Sequence, residues 1–163
     1  MSITLSEEKP EIAKFLSKHQ VGVLATADDE GQPHAATIYF VIDEEIDVYF
    51  MTKEKTSKYR NLQQNPKVAL AVFEPASQST VQIVGTATEV TDSAQANEVF
   101  GRILTITRGT SVSNVPPISK LNAGEYKCFC IKPLTVRLAE YTKPEHGDFS
   151  DLFSVGVAPS ETL

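Results

Sequence analysis

Residues 49–66, "YFMTKEKTSKYRNLQQNP", change their structural period in mid-stretch. Up to Thr52 the residues are aromatic or β-branched enough to end a strand, "DVYFMT". "SKYRNLQQN" then reads as a short helix, stopped by Pro66 because the residue before a proline is driven out of the α region. Between them "KEKTSK" is the connection, with Thr56 or Ser57 placed to cap the helix. A helix start offers N–H groups without partners and about half a positive charge. The hydroxyls of Thr52, Thr56 and Ser57 and the ammoniums of Lys53, Lys55 and Lys58 surround this one. In a chain of formal net charge -6, such a junction is either a seat for a phosphate or a capped surface helix with solvated lysines.

Working outward, the flanks are rich in strands. "VGVLAT" is an apolar run, followed by the turn-forming "ADDEGQP". "HAATIYFVID" and "IDVYFMT" form a hairpin around "EE". Downstream, "KVALAVFE" and "TVQIVGTATEV" are strands, the second with a bulge or bend expected at Gly85. "EYKCFCIKPLTVRLAEY" reads as two strands broken at Pro133, which lacks a ladder donor. Two further helices are expected. "SEEKPEIAKFLSKH" has Ser6 as its cap and Ile12, Phe15 and Leu16 as its apolar stripe. "DSAQANEVFGRILTIT" is capped by Asp92 or Thr91 and gathers Ala96, Val99, Phe100 and Ile103 on one face. "TRGTSVSNVPP" is a loop. The pattern predicts a mainly β fold: a six- to seven-stranded antiparallel barrel with flanking helices, as one domain over residues 1–163. The tail, residues 142–163, mixes Pro, Gly and Asp with Phe149, Leu152, Phe153, Val155 and Val157. Leaving so many apolar side chains in water is unfavourable, so the tail is expected to dock.

Composition narrows the function. A net charge of -6 argues against general nucleic-acid binding. No apolar run approaches the roughly 20 residues of a membrane helix. "MSITLSEEKPEIAKFL" is acidic and contains Pro10, unlike a secretory signal, so a cytoplasmic protein is expected. Cys128 and Cys130, two apart on a strand, share a face and are poorly placed to bridge, which fits buried reduced thiols. His19, His34 and His146 are too scattered for a metal site, and none is expected. Arg102 and Arg108 are candidates for meeting an anion or for plain solvation. Tyr39 and Phe40 are candidates for a ring pocket or for core burial.

The order of segments over about residues 19 to 90 resembles the FMN-binding split-barrel family, the group that includes pyridoxamine 5′-phosphate oxidase. The marks are "LAT", a turn with Gly31 and Pro33, the hairpin, then "MT", "SK", "NL", "NPKVAL" and a strand bearing Gln82 before Gly85. "GEYKCFCIKPLTVRL" is similar to the closing strands more loosely. The resemblance implies a split barrel, a homodimer and FMN in a groove at the interface. It implies that Ala35, Ala36, Thr37 and Ile38 line the flavin ring, that Thr52, Lys53, Ser57 and Lys58 hold the phosphate, and that Gln82 stands near the ring. A carboxamide can both donate and accept, which suits the mixed edge of that ring.

Two departures bear on the substrate. Basic residues flank the matching strand in pyridoxamine phosphate oxidases, where this chain has Ala35 and Phe40. The family's closing Arg and Trp signature is absent, and the chain contains no Trp. The resemblance is therefore closer to the general flavoproteins of the group, and the expectation is an FMN-dependent oxidoreductase of a small, unidentified substrate. A flavin store or sensor, or a split barrel using a deazaflavin or haem, is the alternative. No catalytic acid or base is identified.

Overall fold

Alternating burial along several of the strands builds a barrel. In the computed structural model of the chain, the described residues are 5–108, 126–141 and 153–156, with only the backbone described at 5–8 and 153–156. Seven strands are found among them: β1 (Val21–Ala27), β2 (Pro33–Ile42), β3 (Val48–Lys53), β4 (Lys67–Glu74), β5 (Ser79–Glu89), β6 (Tyr126–Glu140) and β7 (Phe153–Gly156). Helices α1 (Leu5–Lys18), α2 (Ser57–Gln64) and α3 (Ser93–Arg108) flank them. The sheet order is β3-β2-β1-β4-β5-β6, and β3 also pairs with β6, which closes six antiparallel strands into a barrel.

Inward residues fill the barrel, among them Leu24, Phe40, Phe50, Leu70, Ile83 and Ile131. Ile12 and Leu16 of α1 close the end where β1 starts, and Leu62 of α2 closes the other. Outside, α3 covers part of β2, β3 and β6, where Val99 and Ile103 pack on Val41, Tyr49, Cys128 and Cys130. Both cysteines are free and buried, as expected. Burial pushes the Cys128 thiol up to about 12 and also raises that of Cys130.

The structure departs from the sequence reading at two places. Pro133 does not break a strand, since β6 runs through it. On one side Pro133 faces Gly85 where the β5–β6 register shifts. On the other, β6 pairs with β3 only as far as Ile131 and with β7 only from Thr135. The missing N–H therefore falls where the ladder asks for none. The β2–β3 turn is also longer than "EE". The Asp43 carboxylate accepts from the N–H groups of Glu45 and Asp47, and buried Ile46 takes a φ of 66°.

At the helix starts, Asp92 rather than Thr91 caps α3, its carboxylate accepting from Gln95 N–H at 2.7 Å. Helix α1 begins at Leu5, one residue before the expected cap, and the Ser6 side chain lies outside the described residues. Docking of the tail is seen as backbone pairing of β7 with residues 135–138 of β6. The rest of 142–163, and most of the loop expected at 107–117, lie outside the described residues. No helix among those described is long and apolar enough to cross a membrane.

Candidate functional site

The β3–α2 junction folds as its residue types require. Thr56 is the N-cap: its backbone is extended and its hydroxyl accepts from Tyr59 N–H at 3.1 Å. That hydroxyl also donates to the Lys53 carbonyl at 2.9 Å and lies 3.0 Å from the Thr52 hydroxyl. Thr52 is 3% exposed and thus held rigidly beneath the turn. The cap leaves the N–H groups of Ser57 and Lys58 without partners inside the helix.

Cations gather at this point. Lys58 is half-buried, its Nζ 5.9 Å from the centre of the Phe50 ring, and burial lowers its pKa. No carboxylate pairs with it among the described residues. Lys53 places its Nζ 5.9 Å from the centre of the Tyr126 ring. Arg60, not singled out in the sequence, donates from Nη2 to the Ser57 hydroxyl at 3.1 Å. The local carboxylate, Glu54, is engaged with Lys127 at 3.1 Å, so the junction keeps its positive balance.

A buried hydrogen bond anchors α2 to the barrel. Asn61 Nδ2 donates to the Thr26 hydroxyl at 3.0 Å, with both residues 4% exposed. Thr26 stands opposite His34 at the start of β2, so the junction and the first half of β2 occupy one end of the barrel. The sequence carried a signal for this bond, since Asn is a poor helix-interior residue unless its side chain has a fixed partner.

On β2 the four ring-lining candidates divide. Ala35 and Thr37 face outward and are exposed, while Ala36 is partly covered and Ile38 lies in the barrel core. Tyr39 is packed at the edge of α3, which stops short of Ala35 and Thr37, and Phe40 is wholly internal. Gln82 is exposed on β5. It is separated from Thr37 by β1 and β4, three strand spacings or about 14 Å. The structure therefore brings Thr52, Lys53, Ser57 and Lys58 together, puts Ala35 and Thr37 at the same end, and leaves Gln82 apart.

Arg102 is exposed, and its Nη2 donates to the Ile42 carbonyl at 2.7 Å. Among the described residues no cluster of His, Cys, Asp and Glu is suited to a metal. A cleft of about 380 Å³ lies elsewhere, between α1 and the β4–β5 turn, lined by Lys14, Lys18, Glu74 and Glu140 among others. Hydrogen bonds from the hydroxyl and N–H of Ser77, with one from Ala76 N–H, hold the Glu74 carboxyl down at about 2. The cleft shares no residue with the junction.

Comparison with known proteins places this geometry. Residues 8–138 match the family model described as pyridoxamine 5′-phosphate oxidase. A pyridoxine/pyridoxamine 5′-phosphate oxidase of Pseudomonas putida is 34% identical over 80 residues, covering 49% of this chain and 36% of that protein. The matched stretch thus spans about a third of that relative's length. A conserved hypothetical protein of Mycobacterium tuberculosis superposes with a TM-score of 0.71 at 20% identity, over 94% of each chain. A pyridoxamine 5′-phosphate oxidase-related, FMN-binding protein of Nostoc punctiforme gives 0.59 at 16% identity, over 98% of this chain and all of that one. The fold also recurs in an F420 reductase (0.61, 22% identity, 76% and 93% covered) and a haem-binding protein of Mycobacterium smegmatis (0.63, 16%, 88% and 56%).

Proposed function

We propose, from the premise that the chain belongs to the pyridoxamine 5′-phosphate oxidase family, that it binds FMN and acts as an oxidoreductase on a small substrate. One observation carries the reading. A half-buried ammonium with no carboxylate partner among the described residues, Lys58, stands at a capped helix start flanked by Thr52 and Ser57. That donor set suits a phosphate dianion.

In this reading Lys58 and Ser57 hold the phosphate, Thr52, buried and donating its hydroxyl to Thr56, braces the turn beneath it, and Lys53 stands at the rim. The ring lies along the outer face of β2, where the small Ala35 leaves the backbone approachable and Thr37 adds a hydroxyl. Ile38 takes part through its backbone, its side chain being internal. Bound FMN would supply one- or two-electron transfer. The chain's own residues bind the phosphate, offer a flat surface to the ring and keep water from one of its faces.

We further infer a homodimer whose copies share the cofactor groove. Exposed Val21, Val23, Phe73 and Val84 support this, as a set of apolar side chains on one sheet face. The separation of Gln82 from Thr37 supports it too, because a ring lying on one chain's β2 would meet Gln82 only from the other copy. About 2,000 Å² or more is expected to be buried in total. Sedimentation showing a 17.8 kDa monomer at micromolar concentration would exclude the dimer.

The deciding experiment is an absorption spectrum of the purified protein followed by titration with FMN and riboflavin. Flavin bands and an FMN preference of about tenfold or more are expected, since only FMN carries the phosphate. A haem or deazaflavin spectrum, or equal affinity for riboflavin, overturns the reading. Turnover with a reduced nicotinamide separates an enzyme from a flavin store or sensor.

A further inference from the structure

The outer face of the barrel carries an uneven charge. In register, Thr37 faces Val23, Val23 faces Ala71, Ala71 faces Gln82, and Gln82 faces Arg137. The adjacent row runs through Ala35, Ala25, Ala69, Val84 and Thr135. None of these ten positions is acidic, in a chain of net charge -6. Arg137 is exposed and pairs with no carboxylate among the described residues. Its register partner on β7 is Ser154, also uncharged. Of the other cations on the barrel, Arg102 donates to the Ile42 carbonyl and Lys132 pairs with Asp47, while Lys67 is exposed at the start of β4, two residues from Ala69.

We propose that Gln82 and Arg137 form a recognition pair for the carboxylate of a small-molecule substrate held against the flavin, an inference that rests on the FMN reading above. Residues directly opposite across two strands have Cβ atoms about 4.5–5.5 Å apart, which lets both heads reach one carboxylate. The planar guanidinium binds a carboxylate through two parallel hydrogen bonds, and the carboxamide adds a further donor. One positive charge beside a neutral amide matches a monoanion. The several cations of the β3–α2 junction match a dianion. When a second copy covers this face, the guanidinium loses water, and neither copy's rows supply a carboxylate to meet it. A substrate anion would fill that vacancy.

The test uses FMN-loaded protein, with benzoate as the probe, benzamide as its uncharged counterpart and inorganic phosphate as the competing anion. Binding is followed by the visible flavin spectrum and by calorimetry. Benzoate is expected to shift the flavin bands saturably, benzamide to bind about tenfold or more weakly, and phosphate not to displace benzoate. Arg137→Gln should weaken benzoate about tenfold or more, and Arg137→Lys should restore part of the loss. Circular dichroism and a separate FMN titration of each variant report whether fold and cofactor site are intact. Equal benzoate binding by wild type and Arg137→Gln, or none by wild type, overturns the proposal while the FMN reading stands. Displacement of benzoate by phosphate overturns the carboxylate assignment. Failure of wild type to take up FMN at all is seen before benzoate is added, and it overturns the reading underneath together with the proposal.

Discussion

Replacing Lys58 with methionine should leave the cofactor-free protein at least as stable while weakening FMN binding. The structure supplies both signs. Without ligand the ammonium is half-buried, carries no carboxylate partner among the described residues and has a pKa lowered by desolvation. Removing it forfeits a cation–π contact of about 0.5–1 kcal/mol with Phe50. Loss of the desolvation penalty offsets this, and the methionine sulfur can lie on the same ring. With FMN bound, the same change removes a charge-assisted hydrogen bond to phosphate of about 1.5–3 kcal/mol, or about 10- to 150-fold in affinity. The assay is flavin-fluorescence titration with FMN and with riboflavin, beside urea unfolding of the apo protein. FMN affinity should fall and riboflavin affinity should stay within about twofold, because riboflavin never meets the lysine. The pH dependence has a fixed sign. Lys58 has a lower pKa folded than unfolded, so between the two values the unfolded chain holds more protons. Apo stability should therefore climb as pH rises through the folded pKa, level off above 10.5, and show less of that climb in Lys58→Met. Equal losses for FMN and riboflavin, or an unchanged FMN affinity, would refute the placement of the phosphate.

Gly85→Ala should destabilise strongly, because a Cβ there would sit 2.3 Å from the Lys132 carbonyl oxygen and force β5 from β6. A cost of about 3 kcal/mol lowers Tm by about 6–12 °C, measurable by calorimetry. Asn61→Leu should cost about 1–3 kcal/mol by leaving the buried Thr26 hydroxyl unpaired, and adding Thr26→Val should recover part of that, read from urea midpoints of the wild type and the two variants. Cys128, with its thiol near 12, should react with an aromatic disulfide reagent only after unfolding, since about one molecule in 10⁴ is thiolate at pH 8. Rapid labelling of the native protein would contradict its burial. Backbone amides of Phe153–Gly156 should be protected in hydrogen exchange, and truncation after Tyr141 should lower stability by baring the β6 edge at residues 135–138. Unprotected exchange there would remove β7 from the fold.

What the sequence disclosed and what it hid follow from the range of the forces involved. Thr56 and Pro66 bound α2 by local chemistry, a hydroxyl that meets an N–H three residues on and a ring that forbids helix before it, so that element was legible. Strand alternation was legible too, yet taking residues 35–38 as one block passed over it: period two sends Ile38 inward while Thr37 stays outside. Pro133 misled because a missing N–H matters only if a neighbouring strand needs it. Whether one does depends on where β3 stops and β7 starts, at positions remote in sequence. The same holds for the outer face. Gln82 and Arg137 are 55 residues apart in number and look like two unremarkable exposed side chains until register sets them opposite each other. Arg102 looked equally free and is not, because the Ile42 carbonyl that receives it lies on another element. An unpaired charge is thus a property of the assembled sheet: the sequence can show that an arginine exists, and only the pairing of strands shows that no carboxylate among the described residues stands beside it.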